Sequence, residues 1–208
     1  MVVIQHGRLL IRHFVNPFKS SNSFLIGTPN GDELWLFDIG DYRQISHFIG
    51  PGLLKGLFIT HSHFDHIAGI QQLLQKHPEC IVFGSKKCIE WISDDRKNLS
   101  LYFEMPLNFT PPKSCIIDDN SIINLTDEIQ LRAISTPGHA SDSMTYILEN
   151  LIITGDAYIP KIPPVTKLRG GNREEYFKSL LKIKDKIQPE TLILPGHGPV
   201  YFGNQVFD

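Results

Sequence analysis

Three imidazoles and a carboxylate fall within the six residues His61-Ser62-His63-Phe64-Asp65-His66. Imidazole nitrogen and carboxylate oxygen are ligands suited to zinc, and also to iron or nickel. The chain has nine histidines in all, so a solvated polar loop is a poor explanation for three of them in one hexapeptide. The apolar run Gly56-Leu57-Phe58-Ile59 comes just before, followed by Thr60. A tight loop at a strand end there would let His61 and His63 converge on one point. Asp65 and His66 would then face a neighbouring position. The cluster is too rich for a single ion.

Other apolar runs end in the same way. Leu131 to Thr136 delivers Pro137-Gly138-His139, Leu151 to Gly155 delivers Asp156, and Thr191 to Leu194 delivers Pro195-Gly196-His197. In these three a glycine stands immediately before the ligand type, where it lets the backbone turn sharply and approach a site closely. Taken singly, each would be an ordinary polar residue at a strand end. With the hexapeptide they make seven potential ligands, about what two zinc ions sharing a water require.

Strands must position most of these residues. Arg8 to Phe14, Ser23 to Gly27 and Glu33 to Ile39 are β-rich runs, with Asn30-Gly31 between the last two as a hairpin signal. After the cluster, Ile67, Ile70, Leu73 and Leu74 recur at helical spacing until His77-Pro78 ends the helix. Ile81 to Phe83 reads as a short buried strand and Lys86 to Trp91 as a small helix. Ser121 to Leu125, Glu128 to Ser135, Ser143 to Leu148 and Leu151 to Thr154 read as strands, the last pair joined by a tight turn at Glu149-Asn150. Asn172 with Glu175 three residues on is an N-terminal capping signal. It opens a helix with the stripe Tyr176, Phe177, Leu180, Leu181, Ile183 and Ile187, which Pro189 stops before the strand Thr191 to Leu194. A run of strands followed by a helix, twice over, predicts two similar sheets packed face to face with helices outside: an α/β sandwich over 1–208 with no dividing linker. Residues 93–115 are irregular but rich in apolar side chains. That segment is expected either to cover the cluster or to be an ordinary packed surface loop.

Composition excludes several classes. At 208 residues the chain can build one sizeable core, and 41% hydrophobic with 20% charged residues describes an ordinary globular protein. A formal charge of −2 gives no basic face, so no nucleic-acid partner is expected. The N-terminus lacks the features of a signal peptide, and no stretch approaches the ~18 apolar residues of a membrane span. A cytoplasmic protein with no membrane partner is expected. Cys80, Cys88 and Cys115 lack CxxC spacing and read as buried reduced thiols.

The set His61-x-His63-x-Asp65-His66, His139, Asp156 and His197 resembles the complete ligand set of the metallo-β-lactamase fold superfamily. The flanking stretches Asn22 to Ile26, Phe37 to Gly40, Thr136 to His139, Thr154 to Asp156 and Pro195 to Pro199 are similar too, and the short glyoxalase II-like hydrolases are the nearest look-alikes. The resemblance implies a four-layer αββα sandwich with the metals at one edge. It implies that His61, His63 and His139 hold one ion, that Asp65, His66 and His197 hold the other, and that Asp156 bridges them. Asp38 would orient a ligand without binding metal. Classical glyoxalase II also carries a C-terminal helical domain that grips glutathione, whereas this chain ends soon after His197.

The reaction expected on this footing is hydrolysis of an ester, thioester or lactone in a small molecule. A hydroxide shared by two zinc ions, with iron or manganese as the alternatives, would attack the carbonyl. Asp65 would orient the nucleophile and pass a proton to the leaving group. Tyr158, Lys161, Lys167 and Arg169, in the irregular stretch 157–173, are candidate substrate-binding residues, with a solvated loop as the plainer reading. Persulfide dioxygenases, which use one iron, resemble the same family and are the first rival. A phosphodiesterase or nuclease of the superfamily is the second, and a non-catalytic binding module the third. The histidine at position 63, which is glutamate in the related diiron flavoproteins, favours zinc. Oligomeric state is not legible.

Overall fold

The structure is a computed structural model, and it describes residues 1–28, 33–50 and 52–206. The Asn30-Gly31 hairpin signal lies outside the described residues. One sheet has seven strands in the order β1 (Val2–His6), β2 (Leu9–Val15), β3 (Asn22–Gly27), β4 (Leu34–Phe37), β5 (Leu54–Phe58), β6 (Ile81–Gly84) and β7 (Ser114–Ile116). Pairing is antiparallel from β1 to β4 and parallel from β4 to β7. The second sheet comprises β8 (Ile122–Asn124), β9 (Gln130–Ser135), β10 (Met144–Leu148), β11 (Leu151–Gly155), β12 (Leu192–Pro195) and β13 (Tyr201–Phe202), with neighbours in chain order. It is antiparallel except for the β11–β12 pair.

Period-two alternation sorts the strand residues into layers. Phe24, Ile26, Trp35, Phe37 and Phe58 face Leu131, Ala133, Met144, Tyr146, Leu151, Ile153 and Leu194 across the space between the sheets. The residues between them face outward. Leu25, Leu36 and Leu57 meet α1 (Tyr42–Ile45), α2 (Phe64–Ile67), α3 (Ile70–Lys76) and α4 (Lys86–Ile92) through Ile45, Ile67, Ile70, Leu73 and Cys88. Ile152 and Ile193 meet α5 (Arg173–Lys184) through Ile183. Both faces of the central strands are therefore buried, which is why they read as continuous apolar runs. The layers are helix, sheet, sheet, helix, as expected.

Tyr146 ties the two sheets together where the metal-ligand types begin. Its ring packs against Phe37 and Phe58, and its hydroxyl donates to Ile59 O at 2.6 Å. Met144 N donates to Thr60 O at 2.7 Å beside it. Tyr146→Phe withdraws the donor from a buried carbonyl. It is expected to cost about 1–3 kcal/mol of unfolding free energy, read as a lower denaturation midpoint. An unchanged midpoint would show that the bond contributes nothing.

Several local expectations are corrected. The helix after the cluster is two short helices: at the break Gly69 N donates to Ile39 O at 2.9 Å instead of to the helix, and a Cβ there would lie 2.8 Å from Ile39 Cγ1 and Tyr42 N. On α5, Asn172 caps the backbone N–H groups of Glu174 and Glu175 as expected. The buried positions are Tyr176, Ser179 and Ile183, however, while Phe177 and Leu181 are 46% and 71% exposed. Ser179 takes an inward place by donating to Pro137 O at 2.7 Å. Cys80 and Cys88 are buried, but Cys115 lies exposed on β7. Strands β1, β7 and β13 were not legible.

Candidate metal centre

The seven expected residues meet at one edge of the sandwich, all at the C-terminal ends of strands or just beyond. His61 and His63 follow β5, and His63 stands at the N-cap of α2, which places Asp65 and His66 in the first turn of that helix. His139, Asp156 and His197 follow β9, β11 and β12. Three sets of side chains have ligand atoms within 4.8 Å of one another: His61, His63 and His139; Asp65, His66 and His197; and His61, His66 and Asp156. Five imidazoles form a connected group with ring centroids 4.3 to 5.3 Å apart. Asp156 lies between the two triads, with its oxygens 3.5 Å from His66 Nε2, 3.4 Å from His139 Nε2 and 3.6 Å from His197 Nε2. Its carboxylate thus faces histidines of both triads.

Hydrogen bonds on the far side of the rings decide which nitrogens keep lone pairs for the cluster. His139 Nδ1 faces Val165 O at 2.8 Å, so the proton is on Nδ1 and the lone pair on Nε2. His66 Nδ1 donates to Asp38 Oδ2 at 2.8 Å. Thr60 Oγ1 donates to the same Asp38 oxygen at 2.7 Å, which leaves it free to accept from His61 Nδ1 at 3.1 Å. Thr60 N donates to Asp38 Oδ1 at 2.7 Å. Asp38 is thus buried, with a left-handed backbone (φ 56°), and orients one histidine directly and a second through Thr60.

His61 Nε2, His66 Nε2 and Asp156 Oδ1 are buried with no hydrogen-bond partner among the described residues. Leaving several such atoms in one place is costly unless a cation joins them. An imidazole and carboxylate set without thiolate, with its lone pairs turned inward, fits a pair of divalent cations. The protein's own charges point the same way. Burial works against a charge on His66, yet Asp65, Asp156 and Asp38 overcome it and lift the ring to about 10. Carboxylates that hold an extra proton there would also hold a cation. Burial and then His139 lower His63 to about 3, and burial with the neighbouring rings lowers His61 well below the usual value. Burial alone would raise Asp65, but His66 and His197 outweigh it and keep the carboxylate ionised.

The surroundings are built to hold this geometry. A Cβ on Gly196 would collide with Asp156 Oδ1 and lie 2.9 Å from His66 Cε1, so only glycine fits before His197. Ser21 Oγ donates to Asp65 O at 2.7 Å, and Asn22 N donates to Gly196 O at 2.6 Å. Asn22 Nδ2 donates to Pro195 O and Gly198 O, each at 2.9 Å. Buried Asp142 accepts from Ser62 N at 2.8 Å and so fixes the turn between His61 and His63. Its burial raises its pKa against the opposing bonds from Ser62. Thr60, Ser21 and Asp142 escaped sequence reasoning, since single hydroxyls and a lone aspartate carry no pattern.

A cavity of about 320 Å³ opens on the ligands His63, Asp65, His139, Asp156 and His197. Its other walls are Phe64, Leu99, Phe103, Ile159, Ile162, Val165 and Leu168, with Lys19 on the lining. Of the two alternatives for segment 93–115, the structure has cover over the cluster. Leu99 and Phe103 cover the cluster, with Phe103 stacked on Phe64, while Leu107 and Phe109 pack on the core under the helices. The four candidate substrate-binding residues do not line this cavity. Tyr158 and Lys161 line a neighbouring one, Lys167 lies in a surface pocket with Pro164 and Arg173, and Arg169 is exposed. Val165 and Leu168 take the inward positions of that stretch, which leaves its cations outside.

A family model described as the metallo-beta-lactamase superfamily matches residues 16–197. The chain belongs to this superfamily. It is similar to the probable metallo-hydrolase YqgX of Bacillus subtilis (strain 168), at 29% identity over 89% of this chain and 88% of that one. Among solved structures, the BLEG-1 B3 metallo-beta-lactamase superposes with a TM-score of 0.84 at 22% identity, covering 94% of this chain and 95% of the other. TTHA1623 in a di-iron-bound form gives 0.78 at 19% identity, over 93% and 95% of the two chains. At those identities the structures show a shared fold alone. Some curated relatives are longer: the chain spans 58% of the hydroxyacylglutathione hydrolase of Pseudoalteromonas translucida (strain TAC 125), to which it is 25% identical over 82% of itself. No helix among the described residues is long and apolar enough to cross a membrane.

Proposed function

We propose that this member of the superfamily is a dinuclear zinc hydrolase that cleaves an ester, thioester or lactone bond next to an apolar acyl group. The observation that carries the reading is the pair of inward-facing ligand triads joined by Asp156 beneath an apolar cavity. His61, His63 and His139 would hold one ion, Asp65, His66 and His197 the second, with Asp156 between. Ions in such a site lower the pKa of a bound water to about 7 and polarise a carbonyl.

The chain's own residues supply the rest. Ionised Asp65 is an acceptor that orients the attacking water and carries its proton toward the leaving oxygen or sulfur. Phe64, Leu99, Phe103, Ile159 and Val165 give the cavity apolar walls that accept the acyl chain. His139 depends on the cavity wall itself, because Val165 O fixes its tautomer. Asp38 and Thr60 keep His61 and His66 aimed at the cluster.

Asp156→Ala tests the proposal. It is expected to lower metal content and to reduce metal affinity by more than the ~10–100-fold that even an outer partner is worth, with hydrolysis falling in step. Unchanged metal content and hydrolysis would end the reading. A second reading, an iron-dependent oxidoreductase, draws on the donor set, which accepts iron as well as zinc, and on the di-iron form of the similar TTHA1623. Elemental analysis of protein purified without added metal separates the two, with about two zinc per chain expected for the hydrolase.

A further inference from the structure

A second cavity adjoins the first and is chemically unlike it. It has a volume of about 520 Å³ and lies between segment 158–164 and helix α5. Lys161, Arg173 and Lys184 line it, and among the described residues no acid does. Each of the three sits against an aromatic ring: Lys161 is 5.5 Å from the centroid of Tyr201, Arg173 5.7 Å from Phe177, and Lys184 5.9 Å from Tyr158. Other lysines on and just after α5 are neutralised. Lys178 pairs with Glu174 at 2.6 Å, Lys182 with Asp119 at 2.6 Å, and Lys186 with Asp185 at 2.7 Å. Among the described residues, the three cations on the cavity have no such partner. The lining of this hollow is thus positive in a chain with net charge −2.

The hollow borders the metal centre. Ile159 and Ile162 line both cavities, and a small pocket between them is bounded by His139, Asp156 and Tyr176. Lys161, between the two shared isoleucines, has a left-handed backbone (φ 63°), the kind of strained conformation that clusters at ligand-binding positions.

We propose that this cavity is a second subsite of the same centre and binds a phosphate-bearing portion of the substrate's leaving group. The proposal rests on the hydrolase reading and names the substrate's other half. A carboxylate would engage one of the three cations, whereas a phosphate offers more charge and more acceptor oxygens, including a pair for the arginine fork. The aromatic faces beside the cations suit an apolar or heteroaromatic linker. In the reaction, the bond from the acyl carbon to the leaving sulfur or oxygen breaks and water oxygen joins that carbon. One proton of the water goes to the leaving atom. Nothing is oxidised or reduced.

The test uses the metal-loaded full chain and two thioesters with the same butyryl group, one of N-acetylcysteamine and one of 4′-phosphopantetheine. The phosphorylated substrate is expected to have a KM lower by about tenfold or more, the scale of one or two charge-assisted contacts. In R173Q/K184Q the two KM values should draw together. Calorimetry with ADP reads the same site without turnover. ADP should bind the wild-type protein and bind about tenfold more weakly to R173Q/K184Q, while any part held by the metals is unaffected by that variant. Equal KM values for the two thioesters, or ADP affinity that is absent or indifferent to the double substitution, would overturn the subsite. Failure to hydrolyse either thioester while ADP binding follows the variant would instead reject the hydrolase reading and leave the subsite standing.

Discussion

Asp38→Ala is expected to be the most damaging single change outside the seven proposed ligands. One buried carboxylate accepts from Thr60 N, Thr60 Oγ1 and His66 Nδ1. Alanine leaves all three donors in a dry environment and removes one of the three carboxylates that offset the charge on His66. Breaking a buried pair in this way costs about 3–5 kcal/mol, measured by urea denaturation of chelator-treated protein. In the metal-loaded protein His66 loses the bond that fixes its tautomer, the Thr60 hydroxyl beside His61 loses the acceptor that orients it, and affinity should fall about 10–100-fold. Asp38→Asn separates charge from backbone. Asparagine tolerates the left-handed conformation at this position and still accepts one bond, so its loss should be smaller on both scales. An alanine variant with the wild-type midpoint and metal affinity would show that Asp38 does not position His61 and His66.

The cluster was legible because its signal is local and its geometry follows from strand ends. Four apolar runs stop where the sandwich edge must be, and the residue type just past each stop is a ligand type. Glycines before His139, Asp156 and His197 added to the pattern, and the crowding around Gly196 shows their physical cause. Positions that depend on packing between distant segments were not legible. Nothing near Leu99 or Phe103 in sequence says that they reach the ligands, since that follows only from how segment 93–115 folds over α2. The same holds for the candidate substrate residues. The charged side chains after Asp156 were candidates for substrate binding beside the plainer reading of a solvated loop; the turns of that stretch put Ile159, Ile162, Val165 and Leu168 on the ligands and Lys161 on the neighbouring hollow. On α5, Phe177 and Leu181 fit a stripe on paper. The face that meets the sheet is set instead by Tyr176 and Ile183, with a serine between them that bonds Pro137 O.

Chelator-treated protein should be most stable near pH 6.5 and lose stability on both sides, more steeply toward acid. In the fold, His61 is lowered well below 6.5 and His63 to about 3, chiefly by burial. Below pH 6.5 the unfolded chain therefore takes up protons at these rings while the folded chain does not. Stability falls by about 1.4 kcal/mol per pH unit for each such ring, until the folded values are reached. His13, buried against Phe24 and lowered by that burial, acts in the same direction. His66 has the opposite sign. Its folded value is raised to about 10, so its contribution is fully present below pH 6.5 and is lost as pH rises toward 10. Divalent metal should abolish that alkaline limb, because a cation takes the place of the proton that Asp65, Asp156 and Asp38 support on His66. It should also steepen the acid limb, since protons and metal compete for the same nitrogens. Urea midpoints at pH 5, 6.5 and 8.5, with and without chelator, check both signs. A chelator-treated protein as stable at pH 5 as at pH 6.5, or an alkaline loss that metal does not remove, would mean that these rings do not share one buried, carboxylate-bound cluster.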